Sequence, residues 1–378
     1  MLNILHCVTD DKFIDDIIDV FEHIKGEYQF YYSIVGDKRK PYSCIKKQEY
    51  IVNIPKTTFL NYLAKNKIDV VIIHGIGAMP PGIINIIPSN IKVMWKSWGY
   101  DIYRCPSDYS PLAKVDLYHR YTQIERLKDF KANVSRLKMH IYYLLHRKGY
   151  REAISRVDFF SGVIPDEYDL IAQRHYSFFR ARHTFYPYFS LNSNQDNNDF
   201  VSLGENIVLG NSAAFPNNHI DILHQLKKVE LKNKRIVMPI SYQRNERYVQ
   251  AIKKYANKYF QGKIDFLENF IPYEQYIELL NSCGYAIYGN EQQAAMGNIF
   301  LSIYEGKKVF LSNTSIVYKY FKRIGLIVYS IQDDLTEESL SHQLSEQEKV
   351  LNRQLYLEHY STERCMDYVH QMISEFEK

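Results

Sequence analysis

Five cysteines are scattered through the 378 residues, and no two of them stand in a CxxC or comparable spacing. Cys7, Cys44, Cys105, Cys283 and Cys365 therefore suggest neither a zinc site nor a paired disulfide framework; they read as reduced, mostly buried thiols of a cytosolic protein. No uninterrupted apolar run approaches the ~20 residues needed to cross a bilayer. The segment Leu2–Val8 has neither the charged start nor the long apolar middle of a secretion signal, and reads as a first core strand. Together these absences predict a soluble or peripheral protein. Neither GxGxxG nor GxxxxGK[ST] occurs, so dinucleotide and P-loop readings have weak support. A formal net charge of +4 is too small to imply nucleic acid.

What is abundant is apolar and aromatic. Hydrophobic residues make up 46% and charged residues 24%, enough for two domains with cores of their own. The 33 tyrosines accompany abundant Ile, Asn and Lys, and read first as composition bias, not as sugar-stacking platforms. Short apolar runs alternate with helical patterns, the signature of parallel α/β sheets. Expected strands are Leu2–Val8, Gln29–Val35, Asp69–His74, Ile91–Ser97 and Val157–Val163, followed by Asn206–Leu209, Arg235–Pro239, Ile264–Leu267, Tyr285–Tyr288, Lys308–Leu311 and Leu326–Tyr329. Asp11–His23 carries a helical apolar stripe, with Asp10 or Asp11 as its cap. Asn281–Gly284 closes a helix before the strand at Tyr285. The polar, aperiodic run Leu191–Asp199 marks a linker. The resulting division is residues 1–190, a linker at 191–204, a second domain at 205–345, and terminal helices at 346–378 that in related architectures pack back on the first domain.

Ligands of open α/β sheets collect where strands end and helix N-termini present unpaired N–H groups. Six strand ends carry suitable residues. Val208–Ala213 leads to Asn217-Asn-His219, with Gly210 for a tight turn and Asn211 and Ser212 for hydrogen bonding. Tyr288–Asn298 offers Gln292 and Gln293 ahead of Gly297 and a helix start. Pro239–Asn245 holds Ser241, Tyr242 and Arg244, the last able to neutralise a diphosphate. Met94–Tyr103 contains both tryptophans, Trp95 and Trp98, beside Gly99 and Asp101; aromatic faces suit sugars and a carboxylate suits a base, while the plainer reading is a packed core edge with Asp101 as a cap. His6, with Asp10 and Asp11 in the following turn, and His74-Gly75 end two further strands, where a lone His is equally a core residue.

Residues His119–Arg156 carry ten Lys and Arg against Glu125, Asp129 and Glu152, with Leu137, Ile141, Tyr143, Leu144 and Leu145 as an apolar complement. This mixture suits anionic lipid headgroups, each near-surface basic residue contributing ~1 kcal/mol. It equally describes a solvated helix packed on its domain. The aromatics lack the RNP arrangement of an RNA binder.

Read in chain order, Ile4-Leu-His6 with Asp11, Ile73-His-Gly75, Trp95-x-x-Trp-Gly-x-Asp-x-Tyr103, Leu209-Gly-Asn-Ser212 with Asn217-x-His219, Pro239-x-Ser-Tyr242 and Gln293-x-x-x-Gly297 form a set. The set resembles the bacterial 4-acetamido-4,6-dideoxygalactose (Fuc4NAc) transferases of enterobacterial common antigen synthesis, over roughly residues 1–330. One departure is Glu291-Gln-Gln, where members often have Arg-Gln-Gln. The resemblance implies the GT-B fold, two facing Rossmann-like domains with a cleft between them. It also implies a dTDP-sugar or UDP-sugar donor and a polyprenyl-diphosphate-linked saccharide acceptor, met at the cytoplasmic face of the inner membrane. An inverting transfer needs a base, and Asp11 ranks first, then Asp101 and His74. His6, Gly75, Trp95, Trp98, Gly99 and Tyr103 are the expected substrate contacts. Gly210, Asn211, Ser212, His219, Ser241, Tyr242, Arg244, Gln292, Gln293, Gly297 and Asn298 are the expected nucleotide contacts. No Asp-x-Asp stands at a donor-like strand end, so neither metal nor cofactor is expected. The alternatives are a nucleotide-sugar-binding regulator without turnover and a GT-B epimerase acting on a UDP-sugar.

Overall fold

The computed structural model describes residues 2–11, 13–26, 28–36, 42–103, 116–172, 177–187, 200, 202–243 and 245–378. Arg244 and the expected linker core Leu191–Asp199 lie outside the described residues. The chain divides into two compact units, the first comprising 1–114, 138–190 and 362–378 and the second 115–137 and 191–361.

In the first unit the strands are β1 (Asn3–Cys7), β2 (Gln29–Val35), β3 (Ile51–Ile54), β4 (Val70–His74), β5 (Lys92–Lys96), β6 (Phe159–Ser161) and β7 (Arg182–His183). They form one parallel sheet in the order β3-β2-β1-β4-β5-β6-β7. β4 is buried along its whole length, as a strand covered on both faces must be, and its sequence is accordingly Val-Val-Ile-Ile-His without polar alternation. The helix Ile14–Glu22 buries Ile14, Ile17, Ile18 and Phe21, one stripe of the 3.6-residue period. Its cap differs from expectation. No side chain caps the helix itself; Asp11 accepts the N–H of Phe13, and Asp10 receives the N–H groups of Ser43, Cys44 and Ile45.

In the second unit β8 (Asn206–Leu209), β9 (Ile236–Pro239), β10 (Ile264–Leu267), β11 (Cys283–Tyr288), β12 (Lys308–Leu311) and β13 (Tyr329–Ser330) form a parallel sheet in the order β10-β9-β8-β11-β12-β13. β11 starts at Cys283, so the preceding helix Tyr273–Asn281 ends earlier than the Asn-Ser-Cys-Gly pattern suggests.

Two segments change sides relative to the sequence division. Residues 115–137 belong to the second unit, because the helix Arg120–Leu127 docks there: Asp221 receives the N–H groups of Tyr121 and Thr122, both at 2.8 Å. Of the terminal helices, Glu346–Tyr360 stays with the second unit and Thr362–Glu377 joins the first. There Phe376 meets Phe159 edge-on and its carbonyl accepts Lys92 Nζ–H.

Each strand order reverses once, between β1 and β4 in the first unit and between β8 and β11 in the second. At such switch points the helices leave to opposite faces and open a crevice at the carboxyl ends of the strands.

Candidate functional site

At the switch point of the first unit stand His6 from β1 and His74 from β4. His6 Nδ1 and His74 Nε2 are 3.0 Å apart, both rings fully buried. Burial pushes His6 down to about 3, and burial, then His6 and Lys96, hold His74 well below its ordinary value. The pair is therefore neutral, with one N–H shared between the rings. His6 Nε2 and His74 Nδ1 are left buried without a hydrogen-bond partner. His6 stacks on Tyr32 and meets Phe21 edge-on, which packs its ring among aromatic side chains.

The loop after β5 is organised by Asp101. This buried carboxylate accepts Trp95 Nε1–H at 2.6 Å, Ile76 N–H and Trp98 N–H at 3.0 Å, and Ser97 Oγ–H at 3.1 Å. Burial raises its pKa and the four donors pull the other way. Filled in this manner, Asp101 clamps the turn after β4 to the turn after β5. Trp95 and Tyr103 are wholly buried, Trp95 edge-on to Phe160. Both side chains are part of the core of the first unit. Trp98 is only partly buried, with Phe13 at 5.8 Å and His74 at 6.4 Å between ring centres. Gly75 has φ +80°, and a Cβ there would lie 2.8 Å from Tyr100 Oη. Gly99 accepts the N–H groups of Ile102 and Tyr103, starting the short helix Tyr100–Tyr103. Asp11, in the turn after β1, is partly exposed, unlike fully buried Asp101.

Sequence reasoning missed Lys96 and Glu167, both fully buried. Lys96 Nζ donates to Gly162 O and Tyr186 O at 2.6 Å and to Ser161 Oγ at 3.2 Å. Burial pushes Lys96 down to about 7 and Glu167 up to about 7. Three acceptors match the three protons of an ammonium, and the lysine ties β5, β6 and the segment after β7 together.

The switch point of the second unit is built from the turns after β8 and β11. Gly210 has φ +71°, and a Cβ there would lie 2.7 Å from His219 Nε2. Asn217 donates to Ser212 Oγ at 3.0 Å and accepts Asn211 N–H at 3.4 Å. Left-handed Asn218 donates to Gly289 O at 2.8 Å and to Leu117 O at 3.1 Å, and accepts His119 N–H at 2.9 Å. His219 opens the helix His219–Leu226; it is fully buried, pushed by burial to about 3, and neither ring nitrogen has a hydrogen-bond partner. Ala213 N–H donates to Tyr242 O, which brings the Ser241-Tyr242 turn beside this one; Tyr242 itself is exposed.

After β11, Glu291 is 4% exposed and accepts His119 Nε2–H at 2.6 Å, Thr314 Oγ1–H at 2.7 Å and Ser312 Oγ–H. Burial alone raises its pKa, and these hydrogen bonds outweigh burial to hold it below the ordinary value, while the Glu291 partner raises that of His119. Asn290 Oδ1 and Gln292 Oε1 are buried without a hydrogen-bond partner, and Gln293 is buried beside them. Open space surrounds the position a Cβ would take at Gly297, in the first turn of the helix Met296–Tyr304. Asn298 is held by Tyr288, whose hydroxyl donates to its carbonyl at 3.3 Å. The arrangement offers helix N–H groups, amides and a neutral imidazole, a chemistry suited to an uncharged or anionic, hydroxyl-bearing ligand. Among the described residues no three His, Cys, Asp or Glu side chains converge as a metal site.

Two units, each a parallel sheet with polar residues gathered at its switch point, define a GT-B glycosyltransferase. The fold is shared along essentially the whole chain with solved structures of that class. The lipopolysaccharide outer core galactosyltransferase WaaB has a TM-score of 0.62 at 8% identity, covering 99% of each chain. Anabaena HepE in complex with UDP-glucose has a TM-score of 0.63 at 10% identity, covering 99% of this chain and 100% of that one. Sucrose-phosphate synthase from Thermosynechococcus elongatus has a TM-score of 0.63 at 10% identity, covering 99% of both. Residues 126–360 match the family described as 4-alpha-L-fucosyltransferase, glycosyl transferase group 56, and the chain belongs to that family.

Proposed function

We propose that this glycosyltransferase moves Fuc4NAc or a related deoxyamino sugar from dTDP or UDP to a polyprenyl-diphosphate-linked saccharide, at the cytoplasmic face of a bacterial inner membrane. The observation that carries the donor half is the second unit's switch point, where Asn290, Gln292 and His219 keep buried hydrogen-bonding atoms without partners. Buried polar atoms cost about 1–3 kcal/mol each when left unpaired, so a site that keeps several suits a polar ligand. Gly210 and the helix His219–Leu226 would receive the diphosphate, and Gln292, Gln293 and Gly297 the remainder of the donor. Solved HepE carries UDP-glucose, which supports a nucleoside diphosphate sugar by analogy of fold.

In the first unit Asp11 is the base. It takes the proton of the acceptor hydroxyl as that oxygen bonds to the anomeric carbon and the bond from that carbon to the diphosphate oxygen breaks. The departing diphosphate carries the negative charge onto helix N–H groups and amide donors, a role that spares a metal ion. His74, oriented by His6, and Trp98 line the acceptor position, and Asp101 holds the loop that carries Trp98. The acceptor half rests on the basic segment, where Leu127, Phe130, Leu137, Leu144 and Leu145 are exposed beside the cations. No described helix is long and apolar enough to cross a membrane, so contact would be peripheral.

The test is incubation of the full chain with radiolabelled dTDP-sugar or UDP-sugar and a lipid-linked saccharide in detergent. A labelled lipid product supports the reading. Donor binding without product, across the dTDP and UDP series, contradicts it.

A further inference from the structure

The turns that follow β8, β11 and β12 carry no Lys or Arg: none occurs in residues 210–218, 289–298 or 312–315. Amides and backbone N–H groups can bond a diphosphate, but a charge-assisted donor, roughly twice as strong, has to come from another segment.

His119 is brought to these turns from such a segment. It precedes the helix Arg120–Leu127, within residues 115–137 of the second unit. Its backbone N–H donates to Asn218 Oδ1 at 2.9 Å, and Asn218 immediately precedes the helix His219–Leu226. Asn218 Nδ2 donates to Leu117 O at 3.1 Å and to Gly289 O at 2.8 Å, which ties the same segment to the turns after β8 and β11. The ring itself is held through Nε2, 2.6 Å from Glu291 Oε1.

That contact decides what the ring presents. An ionised carboxylate only accepts, so Nε2 carries a proton and Nδ1 is the nitrogen left over. Nδ1 has no hydrogen-bond partner among the described residues, and 34% of the side chain is exposed, so a ligand can reach it. In the neutral ring Nδ1 is a bare lone pair that repels a phosphate oxygen; in the imidazolium it is a second N–H donor. Buried Glu291, also engaged by Ser312 and Thr314, offsets the ring's charge and keeps that proton on it. The Glu291 hydrogen bond raises the pKa of His119, burial opposes the rise, and the charges of Glu291 and Asp221 add to it.

We propose that His119 binds the diphosphate of the donor, its Nδ1–H donating to a phosphate oxygen. The inference rests on the reading that the second unit takes a nucleoside diphosphate sugar. Donation needs the proton on Nδ1, so it is complete below the ordinary 6.5 and is lost as pH rises through the raised pKa.

The experiment is calorimetric titration of dTDP and UDP into the full chain, His119→Gln and Arg120→Gln, at about pH 6 and about pH 9. Arg120 is the neighbouring cation, exposed and 6.0 Å from the Tyr121 ring, and serves as the control for loss of charge alone. Because the nucleotides themselves titrate, the quantity read is the affinity of the unaltered chain relative to each variant at one pH. His119→Gln is expected to weaken binding about tenfold at the lower pH and about twofold or less at the higher, and Arg120→Gln about twofold or less at both. A loss in His119→Gln that is the same at both pH values, or no larger than that in Arg120→Gln, overturns the assignment. If His119→Gln melts at a lower temperature, imidazole titrations by NMR in the unaltered chain replace it. Saturation with nucleotide should then move the midpoint of one histidine up by about 1 pH unit, and no upward movement overturns the assignment. Nucleotide binding by the unaltered chain with either overturning result sinks His119 alone. No binding of either nucleotide contradicts the donor reading, and the inference falls with it.

Discussion

His119 and Glu291, 172 positions apart, meet with His119 Nε2 at 2.6 Å from Glu291 Oε1. The contact fixes the chain ahead of the helix Arg120–Leu127 against the turn after β11. Through Ser312 and Thr314 the same carboxylate also holds the turn after β12. Glu291 titrates below its ordinary 4.5 in the fold, so its contribution is complete above that value and is lost as pH falls through the lowered pKa. His119 titrates above its ordinary 6.5, so its contribution is complete below that value and is lost as pH rises through the raised pKa. Glu291→Gln is therefore expected to destabilise the second unit most between pH 4.5 and 6.5. The loss should be roughly 1–2 kcal/mol, limited by partial exposure of His119, and thermal melts across pH measure it.

Asp11→Asn separates base from scaffold. The change should lower kcat by about 10²–10⁴-fold while leaving donor affinity within a factor of about two. Steady-state kinetics with a parallel binding titration checks this, and full turnover in the variant removes Asp11 from the mechanism.

Asp101→Asn tests the clamp. An amide nitrogen replaces one acceptor oxygen among four donors, so melting should report a loss of about 2–4 kcal/mol. If Asp101 were the base instead, activity would vanish with the melt unchanged.

Gly210→Ala places a methyl against His219 Nε2 at a backbone angle costly for alanine. A stability loss of about 1–3 kcal/mol is expected, with donor affinity reduced at least about tenfold. Calorimetry and a thermal melt on the same protein separate the two effects.

The sheets were largely legible in the sequence, because parallel strands buried on both faces must be continuous apolar runs. Gln29–Val35, Asn206–Leu209, Ile264–Leu267 and Lys308–Leu311 have the bounds expected from their composition. β3 and β7 were not foreseen; Ile51-Val-Asn-Ile54 is short and half-exposed, and β7 has two exposed residues, so neither carries a burial signal. The turn residues at the switch points were legible as small and polar, but burial was not. Trp95 and Trp98 are three positions apart and look alike in sequence, yet one is core and the other partly exposed. Glu291 had a local signal, an acid among amides at a strand end. Its partner His119 had none, since only the tertiary fold brings residues 172 apart together. The same holds for residues 115–137, whose place in the second unit depends on Asp221 capping a helix about 100 residues earlier.

The central claim is that the second unit binds a nucleoside diphosphate at the β8–β11 switch point. Calorimetric titration of dTDP and UDP into the full chain and into Gly210→Ala, with and without magnesium, tests it most directly. The account predicts magnesium-independent binding of one of the two nucleotides, weakened at least about tenfold by the substitution. Absence of binding to both, or equal affinity in the two proteins, would contradict it.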